Sequence, residues 1–185
     1  LILIRITKKW EAPVLTIVST IQAFLSSMLI GIYVANIKIG SSPFVLVRNL
    51  DENIGLPWTQ MENYLQIVPQ FMDGRGLNPL LQNYWMVIHP PILFLGFSLT
   101  MIPFCYAISA LWKKEYSKWI NQAIPWAYAG ISILGTGILM GGAWAYESLS
   151  FGGFWAWDPV ENSSLVPWII LVAAAHLMLI FRARK

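Results

Sequence analysis

Four stretches of this chain run for roughly the thickness of a bilayer without a single Asp, Glu, Lys or Arg. They cover residues 14–35, 84–111, 123–143 and 165–181. A run of about 20 apolar residues can cross a membrane. In lipid, every backbone N–H and C=O must be satisfied within the segment itself, which selects the α-helix. The expected fold is therefore all-α: a polytopic integral membrane protein with about four transmembrane helices, forming a single membrane domain over residues 1–185. Composition agrees, with 57% hydrophobic and only 11% charged residues, where soluble domains carry about a quarter charged. The second run is interrupted by Pro90, Pro91 and Pro103. The third carries Gly135, Gly137, Gly141 and Gly142, which allow close approach of a neighbouring helix or of a flat ligand. The chain starts at Leu1 and stops at Lys185 just behind an apolar run, and so reads as a piece of a larger protein.

The net charge of +3 gives no pointer to nucleic acid, and none is expected as a partner. Its distribution says more. Arg5, Lys8 and Lys9 precede the first run, Lys113, Lys114 and Lys118 separate the second from the third, and Arg182, Arg184 and Lys185 follow the fourth. In a four-span topology these nine lie on one side, and only Lys38, Arg48 and Arg75 on the other. The positive-inside rule puts the first group, with both termini, in the cytoplasm or its equivalent. The outer side then receives a long loop, residues 36–83, and a short one, residues 144–164. Within the long loop, residues 58–71 have an amphipathic pattern suited to the membrane surface. The one cysteine, Cys105, can make neither an intrachain disulfide nor a metal cluster, and reads as a small buried hydrophobe. There is no phosphate-cradling glycine motif and no nucleophile–base pair.

Chemistry concentrates in the short loop, which reads Phe151-Gly152-Gly153-Phe154-Trp155-Ala156-Trp157-Asp158-Pro159-Val160-Glu161-Asn162, with Trp144 and Tyr146 just before it and Trp168 just after. Trp and Tyr are common at the headgroup level as an interfacial belt. Belt residues scatter singly on helix ends, however, and this cluster is contiguous and alternates with small residues, a pattern that suits a flat apolar shelf for a planar ligand. Asp158-Pro159 is expected to shape the turn into the last helix, with Asn162, Ser163 or Ser164 offering its cap. The two histidines are the other informative feature. His89 sits about 8 Å and His176 about 17 Å from the outer edge of their runs, and a histidine within the ~30 Å hydrocarbon layer is costly and usually functional. Two imidazoles on one metal ion lie about 4 Å apart, against a depth difference here of about 9 Å. Either the chain holds two sites, each short of a ligand, or one site and one structural histidine.

The stretch Trp155-Ala156-Trp157-Asp158-Pro159-Val160-Glu161-Asn162, followed by Pro167-Trp168, resembles the tryptophan-rich signature of haem-handling membrane proteins, the WWD domain, in the form found in the CcmF family of cytochrome c haem lyases. Gly76-Leu77-Asn78-Pro79-Leu80-Leu81-Gln82 with His89-Pro90-Pro91 is similar to the same family. The resemblance covers residues 76–176. It implies a role in cytochrome c-type biogenesis: presenting haem and helping ligate it covalently to apocytochrome c, as part of a haem lyase. His89 would ligate a transient haem substrate, His176 a permanently bound b-type haem. Trp144, Phe151, Trp155, Trp157, Asp158 and Trp168 would surround the haem. Phe151 stands where the family often has Trp, keeping a ring face but losing an indole donor. Implied partners are apocytochrome c with its thiol-handling factors, a haem chaperone and the lipid bilayer. The implied location is the bacterial inner membrane, or an organellar inner membrane. A haem exporter of the CcmC or CcsA type, or a non-haem transporter with an aromatic platform, are the alternatives.

Overall fold

The structure, a computed structural model, describes residues 9–50, 52–69, 76–148 and 153–184. Three helices dominate it: α2 (Trp85–Lys113), α3 (Ile120–Ser148) and α4 (Pro159–Ala183). Among the described residues these three are long and apolar enough to cross a membrane. At 29, 29 and 25 residues they run about 38–44 Å, longer than the ~30 Å hydrocarbon layer, so their ends reach the polar interfaces. Each is longer than its charge-free run. The reason is that Tyr, Trp and polar residues beyond the run continue a helix once the apolar segment has nucleated it.

The first apolar run behaves differently. It forms α1 (Glu11–Ser27), 17 residues long, which sits at the lower limit of a bilayer span. It ends eight residues before the expected Ala35. Past Ser27 the chain turns, Gly31 takes a positive φ, and an antiparallel hairpin pairs β1 (Ile32–Val34) with β2 (Ile37–Ile39) in the register Ile32↔Ile39. Ala35 and Asn36 at its tip have φ values of 49° and 66°, the two left-handed positions of a tight two-residue hairpin turn. The β-branched Ile32 and Val34, which read as the end of the first helix, are equally apt for a strand, and they pair with Ile37 and Ile39 from the expected outer loop. Periodicity cannot separate the two in so short a run.

The chain also divides into two compact units, where the sequence reads as one membrane domain: Leu1–Val18 with Leu80–Lys185, and Ser19–Pro79. The second unit holds the end of α1, the hairpin, two 3₁₀ turns at Val47–Asn49 and Pro57–Gln60, and a single helical turn at Tyr64–Ile67. The amphipathic stretch expected over residues 58–71 is thus broken into short turns, with residues 70 and 71 outside the described set.

In the first unit, α2 and α3 pack along a seam of small residues. A Cβ on Gly96 would lie 2.6 Å from the Leu134 Cα, and one on Gly137 would lie 3.0 Å from the Leu93 Cα. Only hydrogen at these positions lets the backbones approach so closely. Helix α4 packs on α3, with Leu171 against Gly130 and the Trp168 ring against Gly135. Cys105, Tyr106, Ala110, Ala123, Ala127 and Leu134 are fully buried between the helices. Phe94, Phe104, Leu139 and Leu177 are exposed, as suits lipid-facing positions.

The basic residues gather at one end of this unit. Lys9 pairs with Glu115 at 2.9 Å, and Lys113 Nζ donates to the Lys9 carbonyl at 2.7 Å and stands 5.2 Å over the Trp10 ring. The Lys9 hydrogen bond holds the Glu115 carboxyl below the usual carboxylate range. Arg182, at the far end of α4, shares a cavity with Ser117 and Asn121 at the same end.

Candidate functional site

At the opposite end, the start of α2, the end of α3 and the start of α4 enclose a cavity of about 300 Å³. Its lining includes His89 and Leu93 from α2, Ile138, Gly141, Gly142, Trp144 and Ala145 from α3, Trp155 from the loop, and Asp158, Val160, Glu161 and Ser164 around the start of α4.

His89 is held mostly by shape, beside a backbone hydrogen bond with Gly137. Its ring lies over Gly141, where a Cβ would come within 2.9 Å of Cε1, and meets the Trp144 ring edge-on at 5.9 Å. Nδ1 is buried without a hydrogen-bond partner. Leaving a buried polar atom unpaired costs free energy, so such an atom beside a cavity marks a position built for something else. Trp155 repeats the signal: it lines the cavity, and its Nε1 is also buried and unpartnered.

The described part of the α3–α4 connection, residues 153–158, owes its shape to the motif residues themselves. Asp158 caps α4, its side chain accepting from Glu161 N at 2.7 Å, while Glu161 Oε2 accepts from Asp158 N at 3.1 Å. This is a reciprocal capping box with Pro159 at the first helical position. The cap is therefore Asp158, not Asn162, Ser163 or Ser164, and α4 starts six residues before the expected Leu165. Glu161 also accepts from Ala156 N at 2.9 Å, and Asn162 Nδ2 donates to the carbonyls of Trp157 and Asp158 at 2.9 and 3.0 Å. Ser164 turns its hydroxyl back to the Glu161 carbonyl. Both motif carboxylates are thus engaged in fixing the backbone. Phe154 packs on Gly142, whose Cβ would lie 2.8 Å from the ring.

This backbone sets Trp155 and Trp157 at right angles, 5.7 Å apart with an 86° interplanar angle. The two rings do not form one flat shelf. Trp155 faces the cavity, whereas Trp157 is 67% exposed and takes φ 58°, a left-handed conformation that a bulky residue rarely adopts.

Of the residues singled out from sequence, the cavity brings together His89, Trp144, Trp155 and Asp158. Trp157 projects outside it. Trp168 lies outside it too, with Nε1 donating to the Ile131 carbonyl at 2.8 Å in a bond between α3 and α4. Phe151 lies outside the described residues. His176 is exposed on α4, with Nδ1 2.8 Å from the Val172 carbonyl. A carbonyl only accepts, so Nδ1 carries the proton and Nε2 presents a lone pair, the arrangement of a metal-ligating histidine steered by its other nitrogen. With α2 starting at Trp85 and α4 at Pro159, His89 lies about 6 Å and His176 about 26 Å along their helices from this end. The separation is about 20 Å rather than 9 Å, because α4 begins earlier than its apolar run.

Sequence reasoning missed Trp85 and Glu147. Trp85 Nε1 donates to Glu147 Oε2 at 2.7 Å, and the Tyr84 hydroxyl stands 3.4 Å from Oε1. The available signal was a lone acid closing the aromatic stretch Trp144-Ala145-Tyr146-Glu147.

Over residues 1–185 the chain matches the model of a family described as cytochrome C assembly protein. It is 39% identical over 123 residues to a Pseudomonas aeruginosa protein named cytochrome c-type biogenesis protein CcmF, a match covering 65% of this chain and 19% of that protein. It is 40% identical over 123 residues to cytochrome c-type biogenesis protein CycK of Rhizobium meliloti, covering 66% and 18%. A probable cytochrome c-type biogenesis protein NrfE of Escherichia coli is 39% identical over 122 residues, covering 65% and 22%. The matched segment spans about a fifth of the length of these relatives. No solved structure matches the chain.

Proposed function

The chain belongs to the cytochrome c assembly protein family, and from that membership and the geometry above we propose that it presents haem, as substrate, for covalent attachment to apocytochrome c. It is a multi-pass membrane segment of a cytochrome c biogenesis protein. One observation carries the finer reading: an imidazole with an unpartnered buried nitrogen, in an apolar cavity whose aromatic wall carries a second unpartnered donor.

These residues fit a haem. Imidazole is the commonest protein ligand to haem iron, and His89 stands at the cavity wall with no competing hydrogen bond on Nδ1. Gly141 and Gly142 let the His89 and Phe154 rings close in on α3, Trp144 and Trp155 supply ring contacts, and the Trp155 N–H is available to an acidic substituent. Asp158 and Glu161 act through the capping box, holding Trp155 in place, and not as acid–base catalysts. His176, with Nε2 free, would hold a b-type haem inside the membrane, and a resident haem there would supply one-electron chemistry. Apocytochrome c, its thiol-handling factors and a haem chaperone are the partners this reading requires.

On this reading the basic end of the bundle faces the cytoplasm or its equivalent, as the positive-inside rule favours, and the cavity opens to the outer side of a bacterial inner membrane or an organellar one. An alkaline phosphatase fusion after Ser148 in the full-length protein should be active, and one after Lys114 inactive. The reverse pattern would put the cavity on the wrong side for periplasmic haem.

The haem reading is tested by the absorption spectrum of the purified full-length protein. A Soret band is expected, and Trp155→Ala should lower retained outer haem by about tenfold, as loss of a buried ring contact and a donor implies. A spectrum with no Soret band after growth with ample haem would favour a non-haem ligand for the cavity. Unchanged haem in Trp155→Ala would remove the aromatic wall from the proposal.

A further inference from the structure

We propose that Glu147 is a positioning residue for His89, fastening the first turn of α2 to α3 above the cavity. The inference deepens the reading of His89 as the ligand there, and its test separates the two.

Pro90 and Pro91 have no N–H, so the carbonyls of Met86 and Val87, four residues earlier, receive no helical ladder bond. Two consecutive bonds are missing at the step that joins the His89 turn to the rest of α2. The backbone alone therefore holds this turn less firmly than the turns that follow. Yet the imidazole sits close-packed over Gly141 and against Trp144, with no hydrogen bond on Nδ1 to fix it. Apart from a backbone contact between the imidazole and Gly137, the turn itself needs a tie to α3.

The Trp85–Glu147 contact is placed to do so. Trp85 lies four residues before His89 and on the same face of α2. Glu147 lies three residues beyond Trp144 and six beyond Gly141, on the helix that supplies both contacts to the imidazole. The indole N–H donates to a carboxylate oxygen at 2.7 Å, and the Tyr84 ring packs on Trp85 at 4.7 Å with its hydroxyl toward the other oxygen. A hydrogen bond to an ionised acceptor is among the stronger side-chain bonds. It spans α2 and α3 one turn above the histidine and restores the tie that the prolines remove. Glu147 touches no ligand in this scheme; it acts through Trp85 on the direction of His89.

The test reads His89 directly, in full-length protein purified in detergent without added haem. Diethyl pyrocarbonate acylates accessible imidazoles, and mass spectrometry reports each histidine separately. Glu147→Ala should raise the rate at His89 about fivefold, the size expected for loss of a charge-assisted hydrogen bond at an exposed site. His176, in the same molecule, should not change. Trp85→Phe, which deletes the donor and keeps a ring, should reproduce the effect even if Glu147→Ala proves unstable. Glu147→Gln keeps an acceptor oxygen and should stay near the parent rate. Unchanged His89 reactivity in both Glu147→Ala and Trp85→Phe would overturn the proposal, as would an equal rise at His176, which signals general loosening. Because the readout needs no haem, it stands or falls apart from the identity of the ligand.

Discussion

In full-length protein, His176→Ala is expected to remove one haem and leave the other, and His89→Ala to do the converse. The two imidazoles stand about 20 Å apart along the helices, against the ~4 Å that separates two nitrogens across one iron. A shared iron is geometrically excluded. Their local settings differ as well. His176 has its tautomer fixed by the Val172 carbonyl, which suits permanent ligation of a resident group. His89 leaves Nδ1 unpartnered beside a cavity at the helix ends, which suits a ligand that must let its cargo go. His176→Ala should therefore abolish the intramembrane haem while outer-site loading stays within about twofold, and His89→Ala should lower outer haem by at least tenfold, the loss of a coordinate bond being worth more than a typical hydrogen bond. Pyridine haemochrome quantification of each purified variant checks this. Loss of all haem from either single variant, with the protein still folded, would defeat the two-site reading.

The largest structural effect is expected at Gly96. A Cβ there would sit 2.6 Å from the Leu134 Cα and 2.8 Å from its N, and both are backbone or backbone-adjacent atoms that cannot swing aside. Gly96→Ala must push α2 from α3 by about 1 Å and should cost about 1–3 kcal/mol, the usual range for overpacking. Gly96→Leu adds a branched side chain to the same gap and should prevent a stable bundle from accumulating. The same seam runs through Gly137 at Leu93 to Gly141 at His89, so Gly96→Ala should also loosen the cavity floor. Thermal unfolding of detergent-purified protein, followed by size-exclusion elution, measures both variants. Ser98→Leu, two residues along at an exposed position, serves as control and should unfold near the parent temperature. Parent-like stability of Gly96→Leu would mean the helices do not meet as described.

Much of this was legible in the residues because lipid simplifies the code: a charge-free run of bilayer length has one stable backbone form, and α2, α3 and α4 all appear where such runs lie. What the pattern could not give were the ends. Asp158 reads both as a turn former and as a candidate site carboxylate, and its three-residue spacing to Glu161 before an apolar run is what marks a capping box. The first run, residues 14–35, failed past Ser27, where the β-branched Ile32 and Val34 serve strand and helix alike. Within the site, His89, Trp144 and Trp155 were readable as unusual residue types in unusual places. The right angle between Trp155 and Trp157 was not, since it depends on a positive φ at Trp157 that no residue type announces. Trp168 has the motif for its neighbours in sequence, while its ring takes part in the α3–α4 contact through the Ile131 carbonyl.

The bonds that shape the segment from Ala156 to Asn162 join residues no more than five apart. The conformation that points Trp155 inward and Trp157 outward is thus written into a few consecutive residues and asks little of the remainder of the bundle. During synthesis this piece can take its shape as soon as it leaves the ribosome and the first turn of α4 follows. The loop behaves as a portable cassette: grafted between two other antiparallel membrane helices of similar spacing, it would carry its tryptophan geometry with it, while the histidine that faces it would have to be supplied by the new host.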